Sequence, residues 1–220
     1  MSKSLSLKKS SITTVVICLI VISSISVGFK LSHVDFNNPL ISEDTYVYVL
    51  GAFSIINGDF SQPDRKALGW SILISPFYLF TDSTDLLHYL NIARILSIAI
   101  STITIIPMYI LARRFFDEKY SLVASCLLAF EPHLNYNSAG ALSEPLLILV
   151  LILSLNFILN YKTKYLYLAF IFTGLCWWVR LEAIYPIIAI ILIYFLVHRN
   201  KSNYLRNFFL CMVFLLIIIS

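Results

Sequence analysis

The sequence predicts an all-α, polytopic membrane protein: a bundle of about seven transmembrane helices with a long first loop on the outer side of the membrane. Three observations predict it. Hydrophobic residues make up 59% of the 220 residues and charged residues 13%, with a mean hydropathy of +0.85. Soluble domains carry about 25% charge, so one small core cannot hide this much apolar surface. The charges are also gathered between uncharged stretches of helix-spanning size, about 20 residues for about 30 Å of hydrocarbon. Finally, their signs alternate from one gap to the next.

The elements follow in order. Lys3, Lys8 and Lys9 precede an uncharged run, Ser11–Phe29. No convincing small-residue cleavage site follows it, so it reads as a retained first helix and not as a signal peptide. Residues 30–89 form the outer loop. In it Ser42 precedes Glu43 and Asp44, an N-cap with acids in the first turn. Tyr46, Val49, Leu50 and Phe53 then repeat at helical spacing, a pattern suited to a membrane surface, and Asn57-Gly58-Asp59 ends the helix. Residues 61–66 read as a polar turn. The apolar piece Ala67–Thr81 is interrupted by Gly69, Trp70 and Pro76 and reads as interfacial or re-entrant. Six further spans are expected: Ile95–Ala112, closed by Arg113 and Arg114, then Tyr120–Phe130, Pro145–Tyr161, Tyr165–Val179, Ala183–His198 and Asn207–Ser220. The chain reads as one module, residues 1–220. Because it stops inside the last apolar stretch, it is expected to be the N-terminal part of a longer protein.

With a cytoplasmic N-terminus, one side of the membrane receives eleven basic residues against two acidic ones, Asp117 and Glu118. The other side receives five basic residues (Lys30, Arg65, Lys66, Arg94 and Arg180) and ten acidic ones. Every span agrees with that orientation. The excess of 16 Lys+Arg over 12 Asp+Glu is too mild for a nucleic-acid binder, and no basic run is interleaved with stacking aromatics. Cys18, Cys126, Cys176 and Cys211 are scattered through apolar stretches without a CxxC pair, so they read as free thiols and not as a disulfide framework or zinc site.

Several spans fall short of membrane thickness, always at the outer end. Arg94, Glu131, His133, Glu144, Arg180 and Glu182 therefore fall at or just inside the outer interface. A charge at a helix centre costs roughly 2.5–3.5 kcal/mol, and less near the surface. A shared water-accessible cavity opening outward houses such groups at lower cost than lipid does. For any one of them an ordinary interfacial loop charge is the alternative. Trp70, Trp177 and Trp178 read as an aromatic belt. Glu43-Asp44 by itself reads equally as a helix-dipole and capping feature.

The order of features resembles the GT-C glycosyltransferases, nearest to the dolichyl-phosphate-mannose protein mannosyltransferase type and its bacterial and archaeal relatives, including the lipid A aminoarabinose transferase. The stretches that carry the likeness are Ser42-Glu-Asp-Thr-Tyr-Val-Tyr48, Ala67-Leu-Gly-Trp-Ser-Ile-Leu-Ile-Ser-Pro76, Ala93-Arg-Ile-Leu-Ser97, Tyr109-Ile-Leu-Ala-Arg-Arg-Phe115, Leu142-Ser-Glu-Pro-Leu146 and Gly174-Leu-Cys-Trp-Trp-Val-Arg-Leu-Glu182. The resemblance implies an enzyme that moves a sugar from a polyprenyl-phosphate donor to a protein or glycolipid acceptor, outside the membrane and with inversion. It implies Asp44 as catalytic base, with Glu43 as the alternative because the pair is reversed from the commoner Asp-Glu order. It implies Lys66 and Arg65 as donor-phosphate ligands, to which the depth argument adds Arg94 and Arg180. Glu131, His133 and Glu144, with Glu182, are the expected polar cluster of the cavity. Relatives differ in their use of a divalent metal, and one His with scattered carboxylates is not a metal signature. The competing readings are a transporter or flippase, and a non-catalytic subunit or fragment. The absence of clear internal repeats, and of midplane charges, speaks against a transporter.

Overall fold

The computed structural model describes residues 9–38, 42–60, 68–81, 83–160, 162–199 and 203–219, and among them it is all helical. The helices are α1 (Lys9–Ser32), α2 (Glu43–Ile56), α3 (Gly69–Leu79), α4 (Leu86–Ile103), α5 (Ile105–Ala112), α6 (Glu118–Ala129), α7 (Pro132–Ala139), α8 (Glu144–Ile158), α9 (Thr163–Val179), α10 (Ile184–His198) and α11 (Tyr204–Ile219). A 3₁₀ turn, Leu181–Ala183, leads into α10. The architecture is an all-α membrane helix bundle, as the sequence predicts.

Among the described residues three stretches are long and apolar enough to cross a bilayer: Ile12–Ser32, Leu86–Ala112 and Leu181–His198. The other expected spans form helices at the expected places but stay short. α6 has 12 residues, α8 15, α9 17 and α11 16. α4 and α5 form one bent rod. Pro107 has no N–H to continue the ladder, and the Thr104 hydroxyl donates to the Ile100 carbonyl, 2.7 Å away, at the bend. The apolar run at Tyr120–Phe130 does not continue as one helix. Phe130 and Glu131 break it, Pro132 takes the first position of a new helix, and α7 is polar.

The two helices of the expected outer loop, α2 and α3, pack against each other and against α4. Ser42 caps α2, its hydroxyl accepting from the Thr45 N–H at 3.3 Å, and Gly58, at φ 79°, supplies the left-handed residue that ends it. Thr45, Tyr48, Val49 and Ala52 bury one face of α2, and α2 lies mainly along α3. α3 buries one face, Trp70, Ser71, Ile74, Ser75 and Tyr78, against the bundle. A Cβ on Gly69 would sit 2.5 Å from the backbone oxygen of Trp178, so only glycine lets α3 approach α9 this closely. Trp70 is fully buried in the core of α2, α3, α4 and α8, not in a lipid-facing belt. A second core joins α8, α9, α10 and α11 around Phe170, Ile190, Tyr194 and Leu215.

The four residues between α7 and α8 are held from outside. Ala141 sits at φ 57°, a conformation costly for a residue with a Cβ. Thr45 Oγ1 donates to the Gly140 carbonyl at 2.6 Å, Trp70 Nε1 to that of Ala141 at 2.9 Å, and Ser97 Oγ to that of Leu142 at 3.4 Å. The Tyr48 hydroxyl and Ser143 Oγ share a fourth hydrogen bond of 3.0 Å. α2, α3 and α4 thus all grip one turn.

Trp70→Phe keeps most of the buried ring but strips the Ala141 carbonyl of its donor. A buried acceptor left unsatisfied costs about 1–3 kcal/mol. Thermal unfolding of the purified protein in detergent is expected to show a clear drop for Trp70→Phe and little change for Trp177→Phe. Equal melting of Trp70→Phe and the unaltered protein would contradict the role given to this bond.

Candidate active site

The end of α1, the starts of α2, α4 and α8, and the ends of α7 and α9 meet at one end of the bundle. Two polar groupings form there.

The first is built on Arg180. α9 stops at Val179, and Arg180 itself is extended (φ −153°, ψ 139°). Its guanidinium bonds Glu144, in the first turn of α8, through Nη1, and Glu182 through Nε at 3.2 Å. The Arg180 and Glu144 side chains are each 25% exposed, whereas Glu182 is 65% exposed. Burial acts to lower the Arg180 pKa, but the hydrogen bond to Glu182 and the charges of Glu144 and Glu182 outweigh it and raise the value. The second oxygen of Glu144 is buried and has no hydrogen-bond partner among the described residues.

Tyr48, one turn along α2 from Asp44, lies almost wholly buried beside this pair. Burial raises its pKa. The Ser143 hydrogen bond and the Arg180 charge pull the other way, and Glu144 and Asp44 add to the rise. Asp44, Glu144 and Arg180 therefore all act on one phenol. Asp44 is half-buried and Glu43 is exposed. With Asp44, Glu144 and Glu182 against Arg180, the grouping has a formal charge of −2.

The second grouping is a cavity of about 190 Å³ whose lining includes His33, Asp35, Asn38, Ser42, Arg94 and Tyr136. Arg94 is 3% exposed. It donates to Asn91 Oδ1 and to the Asn38 carbonyl, both at 2.6 Å, and Asn91 Nδ2 donates to the Phe36 carbonyl at 3.0 Å. The segment following α1 is thereby stapled to α4. Arg94 Nε is buried and has no partner among the described residues. The groupings share parts: Ser42 both lines the cavity and caps the helix that carries Asp44, and Gly140 both lines the cavity and belongs to the gripped turn.

The structure thus brings together Asp44, Glu144, Arg180 and Glu182, and sets Arg94 next to them. Glu131 and His133 stand apart. Both are exposed, and Glu131 caps α7 by accepting from the Leu134 N–H. Arg65 and Lys66 lie outside the described residues. Among the described residues no three His, Cys, Asp or Glu side chains are grouped to hold a metal ion. Sequence reasoning missed Tyr48 and Ser143. Both stand in stretches that carry the family likeness, and Tyr48 also lies at i+4 from Asp44; nothing local marks either as a partner of the other.

A half-buried carboxylate beside a cavity with a buried arginine can take a proton at one point while an anion is held at another, the division of labour of a group-transfer site at a membrane surface. Residues 76–220 match the family model described as dolichyl-phosphate-mannose-protein mannosyltransferase. The chain belongs to that family, a family of membrane glycosyltransferases. The match begins after α2, so it does not itself reach Glu43, Asp44 or Lys30. A comparison with curated proteins gives no match.

Proposed function

We propose that the chain is a multi-pass glycosyltransferase of a prokaryotic-type plasma membrane, its N-terminus cytoplasmic, that takes a sugar from a polyprenyl-phosphate donor and transfers it with inversion to a hydroxyl of a protein or glycolipid acceptor on the outer side. The observation that carries this reading is the placement of an acidic grouping of formal charge −2 next to the Arg94 cavity, the two sharing the start of α2. Arg94 receives the donor phosphate, with Arg65 and Lys66 as further ligands. The acceptor oxygen forms a bond to the anomeric carbon. The bond from that carbon to the phosphate oxygen breaks, the phosphate leaves with the electron pair, and its charge is held by arginine. The acceptor's proton passes to Asp44. Exposure separates the two acids: Glu43 points into solvent, whereas Asp44 acts on the Tyr48 phenol with Glu144 and Arg180. Arg180 is committed to Glu144 and Glu182, so it serves the acids more than the phosphate. The gathering of these groups at one end of the bundle favours a transferase over a transporter, whose sites lie near the midplane.

In membranes carrying the protein, Asp44→Asn is expected to lower sugar transfer by about 10²–10⁴-fold with unchanged melting, and Glu43→Gln to lower it far less. A dead Glu43→Gln beside an active Asp44→Asn would move the base one residue back. Full activity in both would return the pair to helix capping. Thiol labelling at Asp59→Cys and Asn200→Cys is expected from opposite faces of the membrane, Asp59→Cys from outside. Labelling of both from one face would contradict the topology.

A further inference from the structure

Lys30 stands near the outer end of α1, where a lysine ordinarily extends its stem toward the interface and keeps its ammonium in water. Here the side chain does the opposite. It is 1% exposed, and Nζ donates to Ser101 Oγ at 2.8 Å. Ser101 is the sixteenth of the 27 residues of Leu86–Ala112, so the ammonium lies beside the middle of a membrane-crossing helix. An ammonium has three donors, and among the described residues one is used and no carboxylate forms an ion pair with it. A buried, unpaired charge at such depth is costly, and no step of the proposed reaction uses it.

Its neighbours lead to the Arg94 cavity. Arg94, Ser97 and Ser101 follow each other at three- and four-residue spacing on one buried face of α4. Just past the end of α1, His33 and Val34, three and four residues beyond Lys30, line the cavity. Ser101 lies seven residues from Arg94, about 10 Å along α4, and the flexible four-carbon stem, rooted three residues before His33, swings from one level toward the other by changing rotamers. Charge supplies the motive. The cavity's described charged lining is Arg94 and Asp35, which cancel. The phosphate of the donor, a diester of sugar and polyprenol, carries one negative charge, and the monoester left after transfer carries at least one, so one more cation within reach balances either in this lining.

Resting on the donor reading above, we infer that Lys30 is the second cation of this cavity: when the phosphate of an isoprenoid lipid enters, the ammonium leaves Ser101 and closes on the phosphate from below, opposite Arg94. The Ser101 hydroxyl is its resting partner. In this account Lys30 recognises the headgroup and takes no part in bond breaking.

The test is binding of farnesyl phosphate, farnesol and inorganic phosphate to the purified full chain in nanodiscs. The unaltered protein is expected to prefer farnesyl phosphate to farnesol. Lys30→Met is expected to weaken farnesyl phosphate about tenfold or more, the scale of one charged hydrogen bond, and to leave farnesol unchanged. Lys30→Arg restores binding, and Ser101→Ala binds at least as well as the unaltered protein. Lys30→Gln, which keeps a donor for Ser101, carries the test if Lys30→Met fails to fold. Normal farnesyl phosphate binding by the Lys30 variants, with binding lost in Arg94→Gln, would make Lys30 a structural pin and overturn the inference while leaving the donor reading intact. Absence of any preference for farnesyl phosphate over farnesol in the unaltered protein would overturn the donor reading too. Competition by inorganic phosphate as effective as that by farnesyl phosphate would overturn the assignment to a lipid headgroup.

Discussion

Three successive carbonyls and a hydroxyl, at Gly140, Ala141, Leu142 and Ser143, take their partners from outside the short turn that carries them, and this end of the bundle is organised around supplying those partners. Thr45, Trp70, Ser97 and Tyr48 come from three different helices to do so. Each bond is worth about 1 kcal/mol net, but the penalty for losing one in a buried place is larger, so the four act as a register. They fix α2 and α3 against α4. They set the start of α8, and so Glu144, relative to Arg180. They hold Ala141 in a left-handed conformation that its own chain disfavours. Gly69 completes the arrangement by letting α3 meet the backbone of α9 directly.

On that frame the charges divide. Arg180 is held by two carboxylates, and their grouping keeps an excess of negative charge next to Tyr48 and Asp44. Arg94 spends two of its nitrogens tying down the segment after α1 and leaves Nε inside the cavity wall. The chemistry of glycosyl transfer needs this kind of separation: a base that stays ionised where the acceptor loses its proton, and a cation where the phosphate departs. A cation placed among the acids would be neutralised before it met the donor. The structure keeps Arg94, on α4, apart from the acids that hold Arg180, and the one described carboxylate on its own cavity is Asp35.

Much of the bundle was legible because lipid enforces simple rules. Gaps between charges marked α1, the α4–α5 rod and α8 to α11 to within a few residues, apart from the N-terminal end of the rod, where α4 begins at Leu86 and not at Ile95. The Ser42 cap was legible because capping is local. What was hidden is tertiary. α7 has neither an apolar stripe nor a hydrophobic run, so Glu131 and His133 read as the end of a span when they belong to a short polar helix. The pattern of α2 suggested a membrane surface, but an apolar stripe looks the same whether lipid or protein covers it. Glu144 and Arg180 lie 36 residues apart, and nothing near Arg180 in sequence distinguishes an arginine waiting for phosphate from one already paired. Lys30 was the most deceptive residue. A lysine after an uncharged run looks like an interfacial flank, and only the packing of α1 on α4 turns it inward.

The central claim is that the cavity beneath the start of α2 receives the headgroup of an isoprenoid phosphate. A photoreactive polyisoprenyl phosphate with its reactive group next to the phosphate, cross-linked in membranes and mapped by mass spectrometry, tests it most directly. The account predicts labelling of the segments around His33–Asn38 and Tyr136–Leu142, suppressed by unlabelled polyisoprenyl phosphate and not by the corresponding alcohol. Labelling confined to the lipid-facing surfaces of α10 and α11, insensitive to either competitor, would contradict it.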